Sequence, residues 1–155
     1  MVEVLEHHAL DASLLVRIQP PAHLVERAQD PRVRVLGPEA LARLKDAAGP
    51  VEAPKLDRAP TLVVASVRLT GAQEQDEEDV CATAAAIYGV LLAAHSRGLA
   101  SYWRTPAVLR SAAGRAAVGV PDGERVLGLI HLGLPVTEPG GKDREPVSTY
   151  LDFLD

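Results

Sequence analysis

The residues with the clearest chemical potential are Ser101-Tyr102-Trp103-Arg104-Thr105. In a chain with one Trp and only 3% aromatic residues, that Trp stands between a Tyr and an Arg, directly after a long apolar stretch. Trp103 offers a flat face and an N–H, and Arg104 offers a planar cation with several donors. Thr105-Pro106 has the form of a helix start, with Thr105 as N-cap and Pro106 in the first turn, where free N–H groups favour anions. Together these groups suit a flat ligand with an anionic or carbonyl edge. Spacing alone leaves a second reading open, in which 101–105 is a helix-to-helix connection, Trp103 plugs the core and Arg104 pairs with a surplus carboxylate.

The other reactive residue types are less organised. His7, His8, His23, His95 and His131 form no H-E-x-x-H pattern and have no Cys at ligand spacing, so they read as scattered structural histidines and no metal site is expected. Cys81 falls in the first part of an apolar helix and reads as small buried packing, not as a nucleophile. Ser66, Ser96, Ser101 and Ser111 lack a G-x-S-x-G context, and "GPEALARLK" has neither a dinucleotide nor a P-loop pattern. No side chain is singled out as a catalytic acid, base or nucleophile.

These residues must be positioned by one domain, since 155 residues with 47% hydrophobic content suffice for a single core. A net charge of −5 without a basic run gives no footprint for nucleic acid. The apolar run "CATAAAIYGVLLAA" is too short and too mixed to cross a bilayer, and no membrane association is expected. The start "MVEVLEHHALDAS" lacks the features of a secretory signal, and the single Cys81 cannot form an internal disulfide; both point to the cytoplasm.

The hydrophobic periodicity predicts the scaffold. Two short helical pieces divided by Pro20-Pro21 open the chain, followed by an edge strand over 32–37 with one wet face and a helix over 38–49 that stops at Gly49-Pro50. "TLVVASV" at 61–67 is β-branched and apolar throughout, as a strand covered on both faces requires. The acidic run at 74–79 reads as a solvated helix start. The core helix that follows carries Val80, Ala84, Ile87, Leu91 and Ala94 on its inner stripe, widened by Cys81, Ala85, Tyr88 and Leu92, and ends at Gly98. A helix is expected from Thr105 through "AVLRSAAGRAA", then a turn at Asp122-Gly123 and a buried strand over 125–133 interrupted by Gly128. The apolar residues of "VSTYLDFLD" predict a docked tail, on a second subunit rather than loose in solvent.

The stretch "AAAIYGVLLAAHSRGLASYWRTPAVLRSAAGRAAVGVPDGERVLGLIHLGLPVTEP" resembles the C-terminal half of the FMN-dependent nitroreductase family, in particular its small single-domain branch with Trp-Arg-Ser/Thr after the long helix. "LLAAHSRGL", "YWRT", "VGVPDGERVLGLIHLG" and a Pro-rich arm with Lys142 and Arg144 occur in the family's order over residues 78–147; "RVRVLGPEALARL" and "RAPTLVVAS" look like the preceding strand, helix and strand. The resemblance implies an α+β fold with a central antiparallel or mixed sheet flanked by helices. It makes 1–155 one domain, with a divergent helical segment at 1–31 and a C-terminal arm at 138–155 exchanged across a homodimer. It further implies FMN between the subunits, reduction by NADH or NADPH, and small nitroaromatic or quinone-like acceptors. Trp103, Arg104 and Thr105 would then line the flavin, chiefly through backbone and the Arg side chain, and Arg144 would approach its phosphate. The flavin, not a side chain, would carry the hydride.

The chain lacks the family's Arg-Arg-Ser-x-Arg opening and its Pro-Ser/Asp-x-x-Asn-x-x-Pro-Trp segment, and Gly89 and Pro106 stand where Asn and Gly are usual. Each charge-assisted hydrogen bond lost with such arginines is worth roughly 1.5–3 kcal/mol. These departures define two alternative expectations: a flavin-free relative serving as a binding or partner subunit, and a relative whose Trp103 and Arg104 receive another flat anion.

Overall fold

The computed structural model describes residues 31–137, 140–141 and 143–153. The predicted helical pieces before Pro31, with His7, His8 and His23, lie outside the described residues, as does Lys142. The fold is α+β. Strands β1 (Pro31–Val35), β2 (Thr61–Arg68), β3 (Ala100–Arg104) and β4 (Glu124–Gly133) form one antiparallel sheet of four strands in the order β1-β2-β4-β3.

Strand β2 is central and buried over its first seven residues. Alternation along its pleat sends Leu62 and Val64 to one face and Val63 and Ala65 to the other. On the first face Leu44 of helix α1 (Pro38–Glu52), Leu56 of the 3₁₀ turn Ala53–Asp57, and Leu109 complete a core with Leu129 of β4. On the second, Ile87 and Ala94 of helix α2 (Gln73–His95) cover Val63, Ala65, Ile130 and Leu132. The sheet is therefore the middle of three layers.

Most predicted elements form where periodicity placed them, with instructive exceptions. Gly49 takes φ 72° and ends the regular part of α1, the role expected of Gly49-Pro50, although one more turn continues through Glu52. The inner face of α2 is formed by Asp79, Thr83, Ile87 and Ala94, so one acidic residue of the 74–79 run points inward and accepts from Gln75 Nε2 at 3.0 Å. Cys81, Ala85, Tyr88 and Leu92 lie on the exposed side, which corrects the buried reading of Cys81. The Ala-rich sequence gave the helix an apolar stripe wider than the sheet can cover.

"LASYWR" is strand β3, not a connection between helices, because its ladder with β4 gives it the pairing that a five-residue segment cannot supply alone. Nor does a helix begin at Thr105. A 3₁₀ turn spans Ala107–Arg110, and helix α3 (Ala112–Ala117) starts at Ser111, whose Oγ accepts from Gly114 N–H at 3.0 Å. The described part of the tail leaves Val147, Tyr150, Leu151 and Phe153 exposed within the single chain. Among the described residues no helix is long and apolar enough to cross a membrane.

One polar network ties three strands together. Arg34 of β1 forks onto the Glu124 carboxylate of β4 with two bonds of 2.9 Å and donates to Ser66 Oγ of β2 at 2.8 Å, while Ser66 Oγ donates to Glu124 at 2.6 Å. The Glu124 side chain is 8% exposed. Its carboxyl is held below its ordinary value by the Arg34 hydrogen bond, with Ser66 and the positive charges of Arg34 and Arg32 adding to that effect against the opposing desolvation. Because the folded pKa is depressed, the stabilisation is fully present above the unfolded value of about 4.3 and is lost as pH falls through the folded value. Glu124→Gln is expected to cost on the order of 3 kcal/mol in urea unfolding near pH 7, by leaving Arg34 without its partner. The gap between variant and native protein should shrink steadily below about pH 4; a gap independent of pH would show that the carboxylate charge contributes nothing.

Candidate functional site

The site is built on a local irregularity of β4. Ala65 pairs with Gly128 but Ser66 pairs with Val126, so Leu127 is an extra residue in β4 and forms a bulge. Its carbonyl, released from the regular ladder, accepts from Trp103 Nε1 at 3.1 Å and from Thr105 Oγ1 at 2.9 Å. Gly128 makes this possible. A Cβ there would stand 2.1 Å from Trp103 Nε1 and 2.4 Å from its Cδ1. The indole thus lies directly over the glycine, at the margin of the core that α2 covers. Gly128 does not interrupt the strand; it clears the space that the Trp occupies.

Strand alternation then fixes Arg104 on the other face. Arg104 Nη2 lies 3.9 Å from a Glu52 carboxylate oxygen, a pairing longer than a hydrogen bond. Glu52 is bonded to Lys55, and chiefly for that reason its carboxyl is held below its ordinary value, with Arg104 and Arg58 contributing charge. The aromatic plug and the carboxylate pairing weighed from the sequence are both realised here, on a strand instead of a helix connection. Of the four residues assigned to a cofactor, Trp103, Arg104 and Thr105 come together at the end of β3, with Trp103 and Thr105 facing one way and Arg104 the other. Arg144 is exposed in the C-terminal arm and is not among the residues lining the cleft that Arg104 borders.

That cleft holds what sequence reading missed. It has a volume of ≈ 260 Å³ and is walled by Arg58, Arg104, Tyr102, His131, Pro60 and Leu134, among others. His131 of β4 is buried, and its Nε2 has no hydrogen-bond partner among the described residues. Burial first, then the charges of Arg104 and Arg58, push the imidazole below its ordinary value and keep it neutral near pH 7. An orphaned buried polar atom costs roughly 1–3 kcal/mol. The available signal was the polar interruption in "LGLIHLG", an apolar strand whose every other side chain from Gly128 to Gly133 is apolar or glycine. Among the described residues no group of three or more His, Cys, Asp or Glu side chains could hold a metal ion.

Comparison with known proteins places this architecture. The sequence model of the nitroreductase family matches residues 8–134. A nitroreductase-like family protein from Bacillus cereus superposes with a TM-score of 0.76 at 21% identity, covering 99% of this chain and 90% of that one. An FMN-dependent nitroreductase from Clostridium difficile gives 0.63 at 17% identity, with 93% and 88% covered. The NADPH:FMN oxidoreductase of Vibrio harveyi, solved with NAD+, gives 0.67 at 19% identity, with 90% and 64% covered. At these identities the likeness establishes the fold. No curated protein matches the chain at a significant level.

Because Trp103 is the only Trp, its fluorescence reports on the bulge directly. Gly128→Ala forces the indole off its seat and is expected to cost about 1–3 kcal/mol, as overpacking does. A red-shifted, more readily quenched Trp emission should accompany the loss. Native emission with unchanged stability would mean that the close approach is not required.

Proposed function

The chain belongs to the nitroreductase family, and from that premise we propose that it is an FMN-dependent oxidoreductase, reduced by NADH or NADPH, that passes electrons to nitroaromatic, quinone or similar acceptors. The family match across residues 8–134, joined to a fold that superposes over 90% of the length of a nitroreductase-like structure, is the observation that carries this reading. The Clostridium difficile and Vibrio harveyi neighbours both bear FMN in their names.

The residues present fit the group in part. Arg104 is held at 3.9 Å from its carboxylate and can turn to an anionic or carbonyl edge. Among the described residues β3 has a strand partner on one side only, so its outer edge carries unpaired main-chain donors and acceptors suited to the rim of a flavin. Trp103 is less free, since its N–H is committed to Leu127 and its ring to Gly128; it shapes the pocket wall and does not bond the cofactor through its indole nitrogen. Arg144 would reach the phosphate from the C-terminal arm. When bound, the flavin supplies the redox chemistry, and the protein supplies position and electrostatics.

A homodimer completes the reading. Tyr88 and Leu92 on the outer side of α2 are 59% and 53% exposed, and Phe153 in the arm is 89% exposed. A second copy that buries these surfaces against one another would account for apolar area a lone chain leaves in water. The second reading, a flavin-free binding or partner subunit, is favoured by one specific observation: residues 18–36 carry neither the Asn nor the Trp of the family's Pro-Ser/Asp-x-x-Asn-x-x-Pro-Trp segment.

Titration of the purified protein with FMN, read by flavin absorbance and fluorescence, separates the two. The flavoenzyme reading expects saturable binding at micromolar concentration or below, weakened about tenfold by Arg104→Ala, the size of one charge-assisted hydrogen bond. NAD(P)H oxidation should then depend on added FMN. Absence of binding up to millimolar FMN would support the flavin-free reading. On the same sample, sedimentation should give a dimer that Tyr88→Glu with Leu92→Glu converts to monomer; a native monomer would remove the shared-site part of the proposal.

A further inference from the structure

His131 is a titratable side chain set where the fold provides neither water nor a counter-charge. It shares a face of the sheet with its cross-strand neighbours, Leu62 of β2 and Tyr102 of β3. The residue is 5% exposed, and its Nε2 is sealed from solvent without a hydrogen-bond partner among the described residues. The Tyr102 ring stands beside it, with centroids 6.1 Å apart and tilted by 51°. The charges that act on it are those of Arg104 on β3 and Arg58 in the segment before β2, and both are positive. The Glu52 carboxylate of α1 is bonded to Lys55 and lies 3.9 Å from Arg104, so it is already shared among cations.

A charged imidazole in this position needs water, and the strands around it differ in how readily they admit it. Strand β2 is buried over seven residues and paired on both sides, and Leu62 is 2% exposed. Strand β3 has five residues and, among the described residues, a strand partner on one side only; Tyr102 is 60% exposed. Local opening follows the element with the fewest buried contacts and the least protected main-chain bonds. Water therefore reaches His131 at least cost by parting Tyr102 and β3 from β4.

We propose that His131 is an acid-triggered release for β3: when its imidazole takes up a second proton, the strand parts from β4 and the site at Trp103–Thr105 opens with it. Burial first, and then the charges of Arg104 and Arg58, make the closed form the poorer proton acceptor. Closure is therefore undiminished above the ordinary histidine value of about 6.5 and weakens as pH falls below it. Glu52 and Glu124 are both held below the ordinary glutamate value of about 4.3, so they stay charged while His131 titrates and do not account for a change between about pH 6.5 and 5. The assignment is independent of what β3 binds.

The test is amide hydrogen exchange of the full chain at about pH 7.5 and about pH 5, corrected for the intrinsic pH dependence of exchange. Protection of Ala100–Arg104 is expected to fall roughly tenfold between the two, while Leu62–Val67 keeps its protection. In His131→Leu, which puts an apolar side chain in place of the imidazole, the fall should disappear; the comparison also cancels whatever the other four histidines contribute. An equal fall in His131→Leu, or none in the native chain, overturns the proposal. An equal fall across β2 overturns the local release, since the whole sheet would then be opening. If His131→Leu does not fold, proton NMR titration of the native His131 imidazole decides: a midpoint below about 6.5 is expected, and one at or above that value overturns the proposal.

Discussion

One residue out of register governs the functional end of the sheet. With Leu127 bulged from β4, a main-chain carbonyl at the margin of the core has no ladder partner, and leaving it bare would cost roughly 1–3 kcal/mol. Trp103 and Thr105 both donate to it, and they can do so because Gly128 presents no side chain. That single acceptor therefore sets where the Trp lies and where the chain leaves β3. It also decides that Arg104, one residue later than Trp103, emerges on the opposite face beside Tyr102 and His131. The chain's only Trp is thus a strut of the fold, packed at the margin of the core that α2 covers.

How far the sequence disclosed this depends on the kind of signal each residue carries. Strand β2 is legible because β-branched residues occupy both faces of a doubly covered strand, and β1 because charge alternates with Val at a sheet edge. Strand β3 is not, since "ASYWR" has only five residues of mixed polarity and becomes a strand through a ladder with residues 129–133. The same holds for Thr105: Thr before Pro looks like a helix start, but its hydroxyl is claimed by a carbonyl 22 residues away. On α2 the inner face contains Asp79 and Thr83, polar residues that any count of apolar spacing assigns to solvent. Residue types at the site were legible; partners were not, because Arg58, Arg104 and His131 meet only through the order β2-β4-β3.

Two arginines show why that distinction matters for function. Arg34 and Arg104 have side chains 26% and 22% exposed, so burial does not tell them apart. Arg34 places both terminal nitrogens 2.9 Å from the Glu124 carboxylate and reaches Ser66 as well, leaving its fork saturated inside the protein. Arg104 has a carboxylate at 3.9 Å that is already bonded to Lys55. The first guanidinium contributes its hydrogen bonds to joining strands β1, β2 and β4. The second is pre-positioned by a rigid strand, partly desolvated, and short of close acceptors among the described residues, which is the condition under which an arginine contributes most to binding an anion from outside.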